Sequence, residues 1–463
     1  MKISFQSIPV LIIVLALNAG IVKAQNSVNF SLKQAQEYAL ANSFNNKNAH
    51  IDLQLARKKI WETTAIGLPQ ISAQAKYQHL FEVPEIDFGG SSFINTNLPA
   101  GSTLTANDII NQTVFLDFRP GEPIPLGIKD NTTLDITVSQ LIFSGEYLVG
   151  LQASKVFYLI SDQNKQKIES DTRESVSNIY ALVLMFQDNY NLMTLLLDNT
   201  SRTLNEMREL NKQGFVEITD VDQIELATLT LQNGVNAMER QINATKELLK
   251  FQMGYPMEKE INLTDNLETM ASEVNLEALI SNGFKMDNNI NYQIMNTQVK
   301  LSKLNMQREK STFLPSLAAV YQHTEKFKKI DFDFMPVDVF MLSLSIPIFS
   351  SGQRFVKVQQ RGLEYNKAIN NLESVSQGLK LEYVNARNEM IVAFDNFTNV
   401  KKNVELTKRI YDKTLIKFKE GLSSSMELTQ AQNQLLSAQS EYVSNLNALL
   451  TAKNKLTKLT SHQ

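Results

Sequence analysis

Two long stretches of the chain repeat apolar residues at alternating spacings of three and four. In the first half the stripe runs through Val176, Ile179, Val183, Phe186, Tyr190, Met193, Leu197, Thr200, Leu204 and Met207. Shifted by 207 positions it returns as Tyr383, Ala386, Met390, Ala393, Phe397, Val400, Val404, Thr407, Tyr411 and Thr414. A rhythm held for so long predicts coiled-coil helices rather than globular ones. Glycines frame both copies at the same distance: Gly145 and Gly214 in the first, Gly352 and Gly421 in the second, sixty-nine residues apart each time. At about 1.5 Å per residue each interval makes a rod of roughly 100 Å.

Proline agrees with that division. None occurs between Pro125 and Pro256 or after Pro347, and proline's missing N–H and ring clash make such tracts the places where uninterrupted helices fit. Gly214 and Gly421 then read as hairpin tips. Each is followed by a polar restart, with Thr219 and Asp220 at the first tip and a Ser-x-x-Glu capping box, Ser424 to Glu427, at the second. Helices return from about Asp220 to Met253 and from about Met426 to Lys458. Shorter helices, Leu32 to Ile66 and Leu276 to Phe313, open the two halves.

Between opening helix and rod the period changes to two. Ile71, Ala73, Ala75 and Tyr77 alternate with polar neighbours, as do Leu134, Ile136 and Val138. The second half repeats this with Leu317, Ala319 and Tyr321, and with Phe340, Leu342, Leu344, Ile346 and Ile348. Each run has one apolar face and a length near that of a tilted membrane strand. One such run alone fits a soluble sheet equally well; four in equivalent places of two repeats favour the membrane. Residues from about Leu80 to Asn131 read as a long exposed loop, and the counterpart near Glu325 to Pro336 is short, an asymmetry common in outer-membrane barrels. Four strands cannot close a barrel, and open edges in lipid leave backbone groups unpaired. Two copies are therefore the minimum, and three give twelve strands; the pattern does not choose between them.

The organisation is thus residues 1–24 as a signal peptide, 25–260 as a first repeat with helix, strand, long loop, strand and helical hairpin, and 261–463 as a second with a short loop. The leader has one early lysine, an apolar run from Val10 to Leu17, and Val22-Lys23-Ala24 before the expected cleavage at Gln25. That run is too short to span a bilayer, and no later stretch is long enough for a transmembrane helix. The chain of 463 residues has a net charge of -3 and no basic patch, which argues against nucleic acid as a partner. It contains no cysteine, so disulfides and cysteine–zinc sites are excluded. His50, His79, His323 and His462 have no ligand spacing and read as solvated surface. With no acid–base pair and no phosphate loop, neither catalysis nor a cofactor or metal is expected.

The doubled order of helix, strand, loop, strand, rod, glycine tip and returning helix resembles the TolC-like outer-membrane efflux proteins. The Leu68-Pro69 and Leu314-Pro315 strand openings, and the first tip from Gly214 to Val221, are similar to that family's. The likeness extends from about Phe30 to the C-terminus. It implies an α-helical plus membrane β-barrel fold: internally duplicated helical hairpins, four strands per chain, and a homotrimer with a twelve-stranded barrel in outer-membrane lipid and a helical tunnel in the periplasm of a Gram-negative bacterium. The linker after Pro256 and the C-terminal tail would form a belt around that tunnel. Implied partners are a periplasmic adaptor and an inner-membrane transporter, the whole serving tripartite efflux or type I secretion of small molecules or proteins.

Carried over by position, Thr219 and Asp220 match the family's gate links at the first tip, and Glu427 matches a ring acid. The chain departs from the pattern at Gln430, where a second ring acid would stand, at Phe418, where a tyrosine would reach Asp220, and at Ser423, where an arginine would reach the first tip. Closure by packing of Phe418 is the alternative. Gly214, Phe215, Gly421 and Leu422 sit where the family meets its adaptor. The plainer roles are helix capping for Asp220 and Glu427, and C-caps for the glycines. A soluble periplasmic coiled-coil adaptor or scaffold is the competing function, and it would not need the four amphipathic strands.

Overall fold

The computed structural model describes residues 28–86, 92–96, 103, 114–118, 124–125, 127–281, 283–328 and 335–460. The expected leader lies outside them. In chain order the elements are β1 (Val28–Phe30), α1 (Leu32–Asn42), α2 (Phe44–Ala65), β2 (Gln70–His79), β3 (Glu85–Ile86), β4 (Ser92–Thr96), β5 (Val114–Phe118), β6 (Ile124–Pro125) and β7 (Asp130–Ser144). They continue with α3 (Gly145–Lys212), α4 (Ile218–Met253), β8 (Ile261–Leu263), α5 (Leu267–Ser272), α6 (Leu276–Ser281) and α7 (Ile290–Ser311). The chain ends with β9 (Ser316–Lys326), β10 (Asp338–Ser345), α8 (Gln353–Lys419) and α9 (Ser425–Thr460).

Two compact units are built from these elements, and they are not the two sequence repeats. One contains residues up to 53, 161–294 and from 373 on; the other contains 54–160 and 295–372. Each repeat sends segments into both.

The first unit is helical. None of the twenty stripe residues is exposed, so the three–four rhythm is the buried seam of α3 and α8, as its period requires. Toward the tips, Leu196, Leu204, Val221, Ile224, Tyr411, Leu428 and Leu435 form one apolar cluster to which α3, α4, α8 and α9 all contribute. A polar layer ties the repeats together within the unit: buried Thr200 donates its hydroxyl to Gln432 Oε1 at 3.1 Å. Such a layer costs stability unless its partner is in register, and so it fixes register.

The opening helix of the first repeat breaks where unbroken periodicity predicts continuity. Ser43 is extended (ψ 144°) between α1 and α2, because the turn after α4 is pressed against it. Gly254 ends α4 with φ 69°, and a Cβ there would lie 2.4 Å from the Asn42 carbonyl oxygen. Gly254→Ala is therefore expected to cost about 2–4 kcal/mol, combining left-handed strain with a forced backbone shift. A clear drop in the thermal midpoint followed by circular dichroism checks this.

The linker after Pro256 also has structure of its own. β8 pairs in parallel with β1. Tyr180 donates its hydroxyl to Phe30 O at 2.8 Å and accepts from Asp265 N at 3.3 Å, and burial raises its pKa to about 12. Leu267 and Val274 then share a core with Leu456 and Leu459 of α9, so linker and C-terminal helix pack as one region. The second opening helix starts only at Ile290. Asn289 caps it through Oδ1, which accepts from Asn291 N at 3.0 Å.

The second unit is built on a four-stranded sheet in the order β10-β9-β7-β2, every neighbour antiparallel. All four expected strands are present, and β7 is longer than its alternating core. β10 stops at Ser345, before Pro347 can interrupt the ladder. The expected long loop carries two nested antiparallel pairs, β3 with β6 and β4 with β5. Its backbone groups are thus paired along part of its length instead of being left to solvent.

Candidate functional site

The two tips close in the same way. α3 ends at Gly214 (φ 79°) with Phe215 N donating to Leu210 O at 3.0 Å, and α8 ends at Gly421 (φ 72°) with Leu422 N donating to Lys417 O at 2.8 Å. Positive φ followed by a bond back across the last turn defines a glycine C-cap. Nothing lies within 4 Å of where a Cβ would stand at either glycine. Phe215 and Leu422 beside them are 76% and 77% exposed, so each tip presents an uncovered apolar side chain.

Beyond Gly421, Ser424 and Glu427 form the capping box. Ser424 N donates to Glu427 Oε2 at 3.2 Å and Glu427 N donates to Ser424 Oγ at 3.2 Å. The Ser423 hydroxyl also donates to Glu427 Oε2. These bonds, that from Ser423 foremost, hold the Glu427 carboxyl below its ordinary pKa. A lowered carboxyl pKa means stability that is present above the unfolded value and lost as pH falls through the folded one. Glu427 stays charged further into acid than a free glutamate.

Of the residues expected to join the tips, Asp220 does so through a partner the spacing did not point to. The hydroxyl of buried Ser425 donates to Asp220 Oδ1, and Gln223 Oε1 lies 2.8 Å from the same hydroxyl. Ser423 faces Glu427 in its own tip, and Thr219 donates to Glu217 Oε2 at 3.4 Å within the first tip. Phe418 packs against the apolar cluster beneath the tips. Gln430 is exposed on α9. Ser425 follows two serines that already satisfy the cap, so the sequence offers no separate signal for it.

The sheet has two unlike faces. Across it, Ile71, Val138, Tyr321 and Phe340 fall in one row, and Phe143, Leu317 and Leu344 in another. This apolar face is uncovered in the single chain: Ile71 is 75%, Phe340 71% and Leu344 59% exposed. At the loop end it finishes in two equivalent clusters. Asp130 Oδ1 takes the Tyr77 hydroxyl at 2.8 Å and lies 2.7 Å from His79 Nδ1; Asp338 Oδ1 takes the Tyr321 hydroxyl at 2.7 Å and lies 2.8 Å from His323 Nδ1. His79 and His323, expected as solvated surface, are therefore carboxylate-paired at the end of the apolar face. Among the described residues, no three His, Cys, Asp or Glu gather as a metal site. No described helix is long and apolar enough to cross a membrane.

Comparison with known proteins agrees with this architecture. Residues 287–462 match the family described as outer membrane efflux protein. No curated protein sequence matches the chain. Among solved structures, that of CusC, described through its folding and transmembrane channel formation, has a TM-score of 0.70 at 12% identity, covering 94% of this chain and 93% of that one. The outer membrane protein VceC of Vibrio cholerae has a TM-score of 0.66 at 14% identity over 93% of this chain and 96% of its own. The CmeC outer membrane channel of Campylobacter jejuni gives 0.68 at 14% identity over 93% and 85%. The resemblance to outer-membrane efflux proteins thus holds over residues 287–462 by sequence and over nearly the whole chain by fold alone.

Proposed function

We propose that the chain is the outer-membrane exit duct of a tripartite efflux or type I secretion system. It conducts small molecules or proteins out of the periplasm and catalyses nothing. The observation that carries this reading is the exposed apolar face of the sheet together with its two unpaired edges. Because all neighbours in the sheet alternate in direction, β10 and β2 run opposite ways. β10 of one copy can then pair antiparallel with β2 of the next, a head-to-tail contact that closes into a ring. Three copies give a twelve-stranded barrel with the apolar face in lipid, and the helical hairpins of the three chains form the periplasmic tunnel. Discrete conductance steps from the purified protein in planar lipid bilayers test this; a protein that never inserts contradicts it.

The tips are the gate in this reading, held by Asp220, Ser425 and Gln223 across the two repeats and by packing of Phe418. A hydrogen bond to a charged group contributes about 1.5–3 kcal/mol. Ser425→Ala is expected to shift the closed-to-open ratio about tenfold or more toward open, read as channel open time in bilayers. An unchanged open time counts against the link.

Glu427, one per copy, makes a ring of three carboxylates around the axis, which favours cations. Glu427→Gln is expected to lower the preference for potassium over chloride. In the unsubstituted channel that preference should persist in acid below the range where a free glutamate is neutralised, in line with the lowered pKa. Reversal potentials across a salt gradient measure both effects.

The exposed pair Phe215 and Leu422, with Gly214 and Gly421, is the docking surface for a periplasmic adaptor, through which an inner-membrane transporter drives export.

A further inference from the structure

The face of the sheet opposite the apolar one carries an ion pair between a buried carboxylate and a half-exposed lysine. Asp135 on β7 is 7% exposed. Its Oδ2 lies 2.8 Å from Lys76 Nζ on β2, and its Oδ1 accepts the Thr324 hydroxyl of β9 at 2.8 Å. One carboxylate thereby joins three strands and both sequence repeats. Among the described residues of this face in β2, β7, β9 and β10, the charged ones are Lys76, Asp135 and Lys326. Lys326, the last residue of β9, shares a cross-sheet row with Lys76 through Thr133, and its ammonium donates to Met335 O at 2.7 Å. The uncharged residues around the pair on this face are Gln74, Thr133, Thr137 and Gln322. Half of the Lys76 side chain is exposed on this face (54%), whereas that of Asp135 is 9% exposed.

With the apolar face in lipid, this face lines the lumen, and the argument from here rests on that reading of the protein as a duct. We infer that Asp135 determines the charge preference of the barrel by cancelling the positive charge that Lys76 places in its wall. Charged rings at a constriction set which ions pass, and an exposed ammonium repeated in every copy is such a ring. The buried carboxylate beneath it neutralises the ring without projecting into the lumen. The Lys76 charge is thereby cancelled in each copy, leaving Lys326, held on the Met335 carbonyl, as the charge of that row.

The test is ion selectivity in planar bilayers under a potassium chloride gradient, for the unsubstituted protein, Asp135→Asn, Lys76→Gln and the double variant. Asp135→Asn bares the lysine ring and is expected to lower the potassium-to-chloride permeability ratio by about twofold or more. Lys76→Gln bares the carboxylate and is expected to raise the ratio. The double variant is expected to return to the unsubstituted value. Single variants that leave the ratio unchanged, or that move it the same way, overturn the assignment. If Asp135→Asn does not assemble, the other two decide: a ratio raised by Lys76→Gln and restored in the double variant supports it, and an unmoved ratio overturns it. Absence of any channel from the unsubstituted protein overturns the duct itself, an outcome distinct from conducting channels whose selectivity ignores these residues.

Discussion

Leu342→Lys is expected to leave the chain synthesised but absent from the outer membrane. Leu342 lies mid-strand in β10, on the apolar face opposite Ala319 of β9, and is 57% exposed in the single chain. A lysine at the mid-plane of a lipid-facing strand costs about 2–4 kcal/mol. A trimer repeats that cost in every copy. The neighbouring Ser343→Lys faces the other way, toward the lumen of the proposed barrel, and is expected to assemble. Membrane fractionation with unheated gel electrophoresis separates the two variants; equal assembly of both would remove the argument from the two faces.

A second large effect is expected at a position that contacts nothing. Gly421→Arg meets no atom within 4 Å of the new Cβ, so its internal cost is the positive φ of 72°, about 1–2 kcal/mol. Four long helices share the apolar cluster behind the tip, and the assembled protein should absorb that cost. Export should nevertheless be lost, because a long charged side chain beside Leu422 blocks an apolar partner from seating on the tip. Loss of efflux in a susceptibility assay, with normal amounts of assembled protein, is the expected result. Full efflux with the arginine in place would separate the tip from docking.

The elements visible in the sequence were those whose period runs long enough to be counted. The two rods, the glycine tips and the four principal strands all rest on repeats of three to four or of two, and their duplication doubles the signal. Breaks within helices were not visible. Ser43 ends α1 because Gly254, more than two hundred positions away, packs its backbone against Asn42, and no local pattern records that contact. The same holds for β1 and β8, which are three residues each and find one another across the chain. At the tips, Glu427 and Ser424 were legible because capping is local. The bond from Ser425 to Asp220 was not, because it joins two repeats through side chains of no distinctive spacing. The pairing of His79 with Asp130 and of His323 with Asp338 depends on strand register. A one-residue slip would have placed those side chains on opposite faces.

The proposed duct depends on the sheet being completed by sister copies in lipid. The most direct measurement is the mass of the protein extracted from bacterial envelopes in mild detergent, together with its migration before and after boiling. A three-chain particle that is found only in the outer-membrane fraction and falls to single chains on heating is the predicted result. A single chain recovered in the soluble periplasmic fraction without detergent would contradict the account, since a lone copy leaves the apolar face and both β2 and β10 edges with nothing to cover them.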